Sequence, residues 1–147
     1  MANNLYDKAR EAFLNGEISW KEDTIKVVLV GTPLGGTSTY TAKTAGSTSH
    51  QFLSDIPQSS RLATADLVRD YDGDSNDSSL GVAKGRNVTF SNVTGTIKAI
   101  VIYKHTGNDA TAPVIAYLDD INGQNNTITS STPVTITWDT QNGIFKL

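Results

Sequence analysis

Ile97-Lys-Ala-Ile-Val-Ile-Tyr-Lys104 and Ala112-Pro-Val-Ile-Ala-Tyr-Leu118 are two β-branched and aromatic runs joined by His105-Thr-Gly-Asn-Asp-Ala-Thr111. The joining segment carries turn chemistry. Gly107 and Asn108 tolerate positive φ, and Asp109 can bond its own backbone. Two such runs around a polar loop predict a β-hairpin. The first arm is apolar at every position from Ala99 to Tyr103, so it is expected to lie centrally in a sheet and be covered on both faces.

Outward from this hairpin, further short apolar runs alternate with turn signals. Thr24-Ile-Lys-Val-Val-Leu-Val30 reads as a buried strand. Arg61 to Val68 is expected to be a strand with Leu62, Ala65 and Leu67 partly buried. Gly81 to Lys84 and Asn87 to Phe90 read as short strands separated by Gly85, with Asn92 to Gly95 as a turn into the central hairpin. Pro133-Val-Thr-Ile-Thr-Trp138 alternates, which puts Val134, Ile136 and Trp138 on one face. The loop Asp139 to Gly143 ends in Asn-Gly, a hairpin signal, and Ile144 to Leu147 is expected to close the sheet. Residues 37–49 read as a weak outer strand pair or an exposed loop, and His50 to Pro57 as a turn pinned by Phe52, Leu53 and Ile56. Short strands with turns between them, and no βαβ rhythm, predict a mainly all-β fold, an antiparallel, jelly-roll-like β-sandwich.

One helix is expected, at the N-terminus. Leu5, Ala9, Ala12 and Phe13 share a face, widened by Tyr6 and Leu14. Asn3 or Asn4 stands at the cap, and Asn15-Gly16 at the stop. The chain divides into this helical arm, 1–16, and a sandwich, 17–147, within one domain. The arm is expected to pack on its own domain rather than on a neighbouring subunit.

Composition narrows function by exclusion. The 147 residues carry a formal charge of −3, and the 12 Lys and Arg are scattered. No basic face of the kind nucleic acid requires is expected. There is no cysteine, which removes disulfides and thiolate metal sites. No secretory leader is visible, and the longest aliphatic run, Val27 to Val30, is far short of the roughly 20 residues that span a bilayer. No membrane partner is expected.

The motifs that carry chemistry are incomplete. Gly31-Thr-Pro-Leu-Gly-Gly36-Thr-Ser38 has the spacing of a phosphate loop, but Thr37 stands where the lysine belongs, and strand-forming residues follow it. Asp70, Asp72, Asp74 and Asp77 are closely spaced oxygen donors and the candidate calcium ligands. Counted from Asp70, however, the EF-hand positions for Gly and Glu hold Ser75 and Gly81. A solvated acidic loop with no metal is expected. His50 and His105, the two histidines, lie in polar loops, and Asp119 and Asp120 would point to opposite faces of a strand. No nucleophile, base and orienting group can be assembled. No enzyme activity, catalytic residue or cofactor is expected. Asn87-Val-Thr89 and Asn92-Val-Thr94 match the glycosylation sequon by chance composition. The rings of Trp20, Tyr40 and Trp138 leave a carbohydrate-binding sandwich as an alternative, with Trp138 expected in the core.

A resemblance reaches further. The segments Asn4 to Leu14 with Ile18-Ser-Trp20, Thr24 to Val30, His50 to Pro57, Ala99 to Lys104, Ile115 to Asp119, Thr137-Trp-Asp139 and Ile144 to Leu147 stand in an order that resembles a family of small virion structural proteins of tailed bacteriophages. The chain departs from that pattern by longer inserts at Thr32 to Ser49 and Asp70 to Gly81. The resemblance implies a capsid decoration or cement protein of β-sandwich or jelly-roll type. It would be assembled as a homotrimer in the host cytoplasm, carried on the virion, and bound to the major capsid protein. A head fibre, tail or neck protein is the alternative within the virion.

Overall fold

The computed structural model describes residues 4–69, 81–119, 127–138 and 143–147. Strand β1 (Asn4–Leu5) is followed by helix α1 (Asp7–Leu14), then by strands β2 (Ile25–Thr32), β3 (Arg61–Asp66), β4 (Val82–Ala83), β5 (Val88–Lys104), β6 (Val114–Leu118), β7 (Thr127–Ile136) and β8 (Phe145–Lys146). The described strands form two antiparallel sheets. The large one runs β1-β6-β5-β2-β3, with β7 paired to β5; the small one is β4-β8. The mainly β, antiparallel fold with one short N-terminal helix is the one expected from the sequence.

Residues opposite one another across an antiparallel ladder share a face. One face carries the row Ala65–Val27–Ile102–Ala116–Leu5, and the other carries Thr64–Val28–Val101–Tyr117–Asn4. Val27, Val28, Val101 and Ile102 are all buried, so the centre of the sheet is covered on both sides as predicted. The 40–60 segment reaches the Tyr117 face through Tyr40, whose ring packs edge-on against Tyr117 with centroids 6.1 Å apart.

Four local expectations are corrected. The first concerns the helix start. Asn4 is not a cap but pairs with Tyr117 in β1, and the N-cap position is Tyr6, which makes no side-chain capping bond. The exposed N–H groups at the helix head are met from a distance: Asp7 N–H donates to Thr44 O (2.7 Å) and Lys8 N–H to Ser49 Oγ (3.5 Å). A helix head needs such partners, and here the tertiary fold supplies them in place of a local Asn. Second, Leu14 does not join the apolar stripe. It is 88% exposed, while Ala9 and Ala12 are buried. Helix α1 otherwise packs on its own domain, against β6, as expected.

Third, Asn92 to Gly95 is no turn. β5 runs unbroken from Val88 to Lys104. The turn-forming residues take positive φ inside the strand, Asn92 at 58° and Gly95 at 108°, where the register with β7 shifts between Phe90 and Val93 and again between Val93 and Gly95. They therefore bend a long strand instead of ending it. Fourth, residues 37–49 form no strand pair; the exposed-loop alternative holds for most of them, with Tyr40 and Ser49 as the buried members. They run without regular pairing to a single 3-10 turn, Gly46–Thr48, and bury Tyr40. The closing strand β8 forms as predicted but pairs with β4, outside the large sheet.

Candidate functional site

Two arrangements stand out, one polar and buried, the other apolar and open.

The polar one is a hydrogen-bonded chain from the core to the surface. Tyr6 Oη lies 2.9 Å from Tyr40 Oη, which lies 2.6 Å from His50 Nδ1. Tyr6 and Tyr40 are buried, and His50 is half-buried. The Lys43 main-chain N–H also donates to His50 Nδ1, at 3.4 Å. An amide can only donate, so Nδ1 is an unprotonated acceptor and the neutral imidazole carries its proton on Nε2. The single Tyr40 hydrogen then goes to His50, and Tyr6 must donate to Tyr40. Burial raises the Tyr6 hydroxyl far above the ordinary tyrosine value and pushes Tyr40 up to about 12. Neither hydroxyl ionises near neutral pH, so the chain is a neutral network and no phenolate nucleophile arises from it.

Around this chain the 43–50 segment is fastened to α1. Asp7 Oδ2 accepts the Gly46 N–H at 2.7 Å, and Asp7 Oδ1 meets Arg10 Nη1 at 2.8 Å. The Gly46 amide, aided by the Arg10 guanidinium, holds the Asp7 carboxyl below the usual aspartate range. The 3-10 turn Leu53–Asp55 lies just beyond; Asp55 Oδ2 accepts from the Gln51 and Phe52 amides.

The apolar arrangement is an open cleft of about 180 Å³ lined by Phe13 of α1, Trp20, Gly81, and Val82, Ala83, Phe145 and Leu147 in and beside the small sheet. The Trp20 and Phe145 rings meet edge to face with centroids 5.0 Å apart, and Phe13 lies 6.4 Å from Phe145. Trp20 is fixed on its polar side: Nε1 donates to Lys84 O (3.2 Å), and the Arg69 guanidinium sits over the ring while donating to Trp20 O and Asp23 O. Two leucines, Leu14 at 88% and Leu147 at 60% exposure, are among the large apolar side chains left in water. Leu14 directly follows Phe13, and Leu147 lines the cleft itself. Three separated stretches build this surface. Phe13 was legible as part of a helical stripe; its meeting with Phe145 was not.

The remaining sequence candidates fall apart in space or lie outside the described residues. Gly31 and Thr32 belong to β2, and Pro33 to Gly36 close a turn through Gly36 N–H to Pro33 O. No helix follows to receive a phosphate, so the phosphate-loop spacing is a strand ending in a turn. Asp70, Asp72, Asp74 and Asp77, the candidate calcium ligands, lie outside the described residues, as does Asp120. Among the described residues no group of three or more potential metal ligands occurs, and no helix is long and apolar enough to cross a membrane. His105 is exposed in the β5–β6 loop, its main-chain N–H bonded to Thr24 O. Asp119 is buried at the end of β6, with Oδ1 lacking a partner among the described residues. Asn87 Oδ1 accepts the Trp138 N–H. Of the three rings weighed for sugar stacking, Tyr40 and Trp138 are buried, Trp138 with Nε1 donating to Arg86 O at 2.9 Å, and Trp20 alone is half-exposed.

No family model, curated protein or solved structure matches this chain.

Proposed function

We propose that this protein acts by contact, as a structural virion subunit of a tailed bacteriophage: a capsid decoration or cement protein bound to the outer shell. The observation that carries the reading is the open cleft of Phe13, Trp20 and Phe145 with exposed Leu147 in its lining, and a second exposed leucine, Leu14, next to Phe13 in the chain. Apolar side chains in water favour a partner that covers them. A partner that binds only the assembled lattice stabilises that lattice by mass action. A homotrimer would multiply a weak single contact, provided that its copies engage the shell together. The order of packing segments from Asn4 to Leu147 supports the same reading through its resemblance to phage virion proteins.

Co-sedimentation with mature and immature shells stripped of this protein is the test. Saturable binding at a fixed ratio to the capsid subunit supports the reading, and Leu14→Ser and Trp20→Ala should weaken it. Binding at a few copies per particle favours a neck, tail or head-fibre position. Absence of binding to either shell overturns the proposal.

A further inference from the structure

Tyr6, Tyr40 and His50 form a hydrogen-bond chain with a direction. Tyr6 donates to Tyr40, and Tyr40 donates to the bare Nδ1 of His50, which also receives the Lys43 amide. The chain ends at Tyr6 Oη, which has Tyr40 Oη as its hydrogen-bond partner among the described residues and whose side chain is fully buried. A proton placed on Nδ1 gives the chain one donor too many. Nδ1–H must then donate to Tyr40, and either Tyr40 turns its hydrogen to Tyr6 and strands the Tyr6 hydrogen, or it goes on accepting from Tyr6 and strands its own. The Lys43 N–H loses its acceptor at the same moment. Buried donors without partners are costly, and the cheapest relief is to bring them to water.

We propose that His50 is a proton-operated latch: protonation at Nδ1 strands a buried hydroxyl hydrogen and the Lys43 amide and releases the 40–50 segment from the head of α1. The segment is held there by few other bonds. They run from Asp7 N–H to Thr44 O, from Lys8 N–H to Ser49 Oγ, and from the Gly46 N–H to Asp7 Oδ2. Its release uncaps α1 and opens the Tyr6–Tyr40 pair to water. The sheet itself is not required to move, since β2, β5 and β6 pair without this segment.

The groups around the imidazole set the direction of the response. Burial disfavours its charged form, and the Lys43 ammonium on the same segment adds to this. The Asp55 carboxylate of the neighbouring 3-10 turn opposes both. Tyr40 packs its ring against the imidazole, with centroids 5.4 Å apart, and Tyr117 of β6 lies behind Tyr40. Asp7, at the helix head, is committed to Gly46 and Arg10. The net effect is a docked His50 whose pKa lies below the ordinary value of 6.5. Proton binding therefore favours the released state as pH falls below that ordinary value.

The test combines amide hydrogen exchange with NMR titration of the imidazole in the whole chain. Between about pH 7.5 and pH 5, corrected for intrinsic exchange, protection of the Gly46 and Asp7 amides should fall about tenfold, while Ile100 and Ile102 of β5 stay protected. His50→Asn keeps an acceptor where Nδ1 stands and cannot be protonated; its segment should stay protected throughout. Tyr40→Phe removes the donor that holds Nδ1 bare, so the imidazole midpoint should move up by about half a pH unit or more. Protection that is indifferent to pH, loss shared equally by β5, or a Tyr40→Phe midpoint left in place would each overturn the latch. If His50→Asn fails to fold by circular dichroism, the wild-type profile and Tyr40→Phe decide it.

Discussion

Arg61 Nη1 stands 2.7 Å from Asp109 Oδ2, tying the first residue of β3 to the loop of the β5–β6 hairpin across 48 residues of chain. Three more of its hydrogens go to main chain: Nε and Nη2 reach Ile56 O at 3.2 and 2.7 Å, and Nη2 reaches Leu53 O at 2.8 Å. One side chain, 16% exposed, thus gathers the 3-10 turn, an edge strand and the central hairpin.

Planar geometry makes that junction specific to arginine. A lysine has one compact head and cannot serve two carbonyls and a carboxylate in fork geometry. Arg61→Lys should lower stability by about 2 kcal/mol, since buried carbonyls lose their donors. Asp109→Ala should cost less, about 1 kcal/mol, because its carboxylate is 43% exposed and water replaces the lost partner. Urea unfolding of the two variants checks the order.

Gly31 and Gly35, four residues apart, are glycines for different reasons. A Cβ at Gly31 would stand 1.9 Å from Thr96 O, because the β2–β5 register shifts between Val30 and Gly31 and brings that carbonyl in. Gly35 has open space but a φ of +76°. Gly31→Ala should therefore cost about 3 kcal/mol or more through forced backbone movement. Gly35→Ala should cost about 1 kcal/mol through the left-handed conformation alone. Thermal melts compare them.

The Asp7 carboxyl titrates below the ordinary aspartate value of 3.8, held there by the Gly46 amide and then by Arg10. A depressed folded pKa contributes stability that is complete above the unfolded value and is lost as pH falls through the folded one. In His50→Asn, which keeps the 40–50 segment docked at low pH, the Gly46 amide proton resonance should accordingly show an acid inflection below about pH 3.8. It should show none in Asp7→Asn, whose amide oxygen still accepts. This step is separate from any response of His50, which lies at higher pH.

Ile102 and Leu14 mark the extremes of burial. Ile102 is fully buried at the centre of β5, and Ile102→Ala should cost about 3–4 kcal/mol by leaving a cavity. Leu14→Ser, on a side chain almost wholly in water, should change stability by less than about 0.5 kcal/mol. Denaturant midpoints measure both, and the small effect of the second keeps its shell-binding result interpretable.

The helix, most of the strands and the buried centre of the sheet are legible along the chain. Val27 to Val30 and Ala99 to Tyr103 are apolar without a break and rich in β-branched residues, and Ala9 and Ala12 recur at helical spacing. Such periodicity is local, so it is legible along a chain. It also misled where a local signal served a distant purpose. Asn92 and Gly95 have turn chemistry, yet they bend a strand that β7 keeps paired. Asn4 has capping chemistry, yet a partner strand claims it and Thr44 and Ser49 meet the helix head instead. The meetings of Tyr6 with Tyr40 and His50, of Arg61 with Asp109, and of Phe13 with Phe145 are not written in any one stretch. These contacts join segments that share no period. A hydrogen bond or a ring contact depends on where a side chain ends, and that is set by packing across the whole fold.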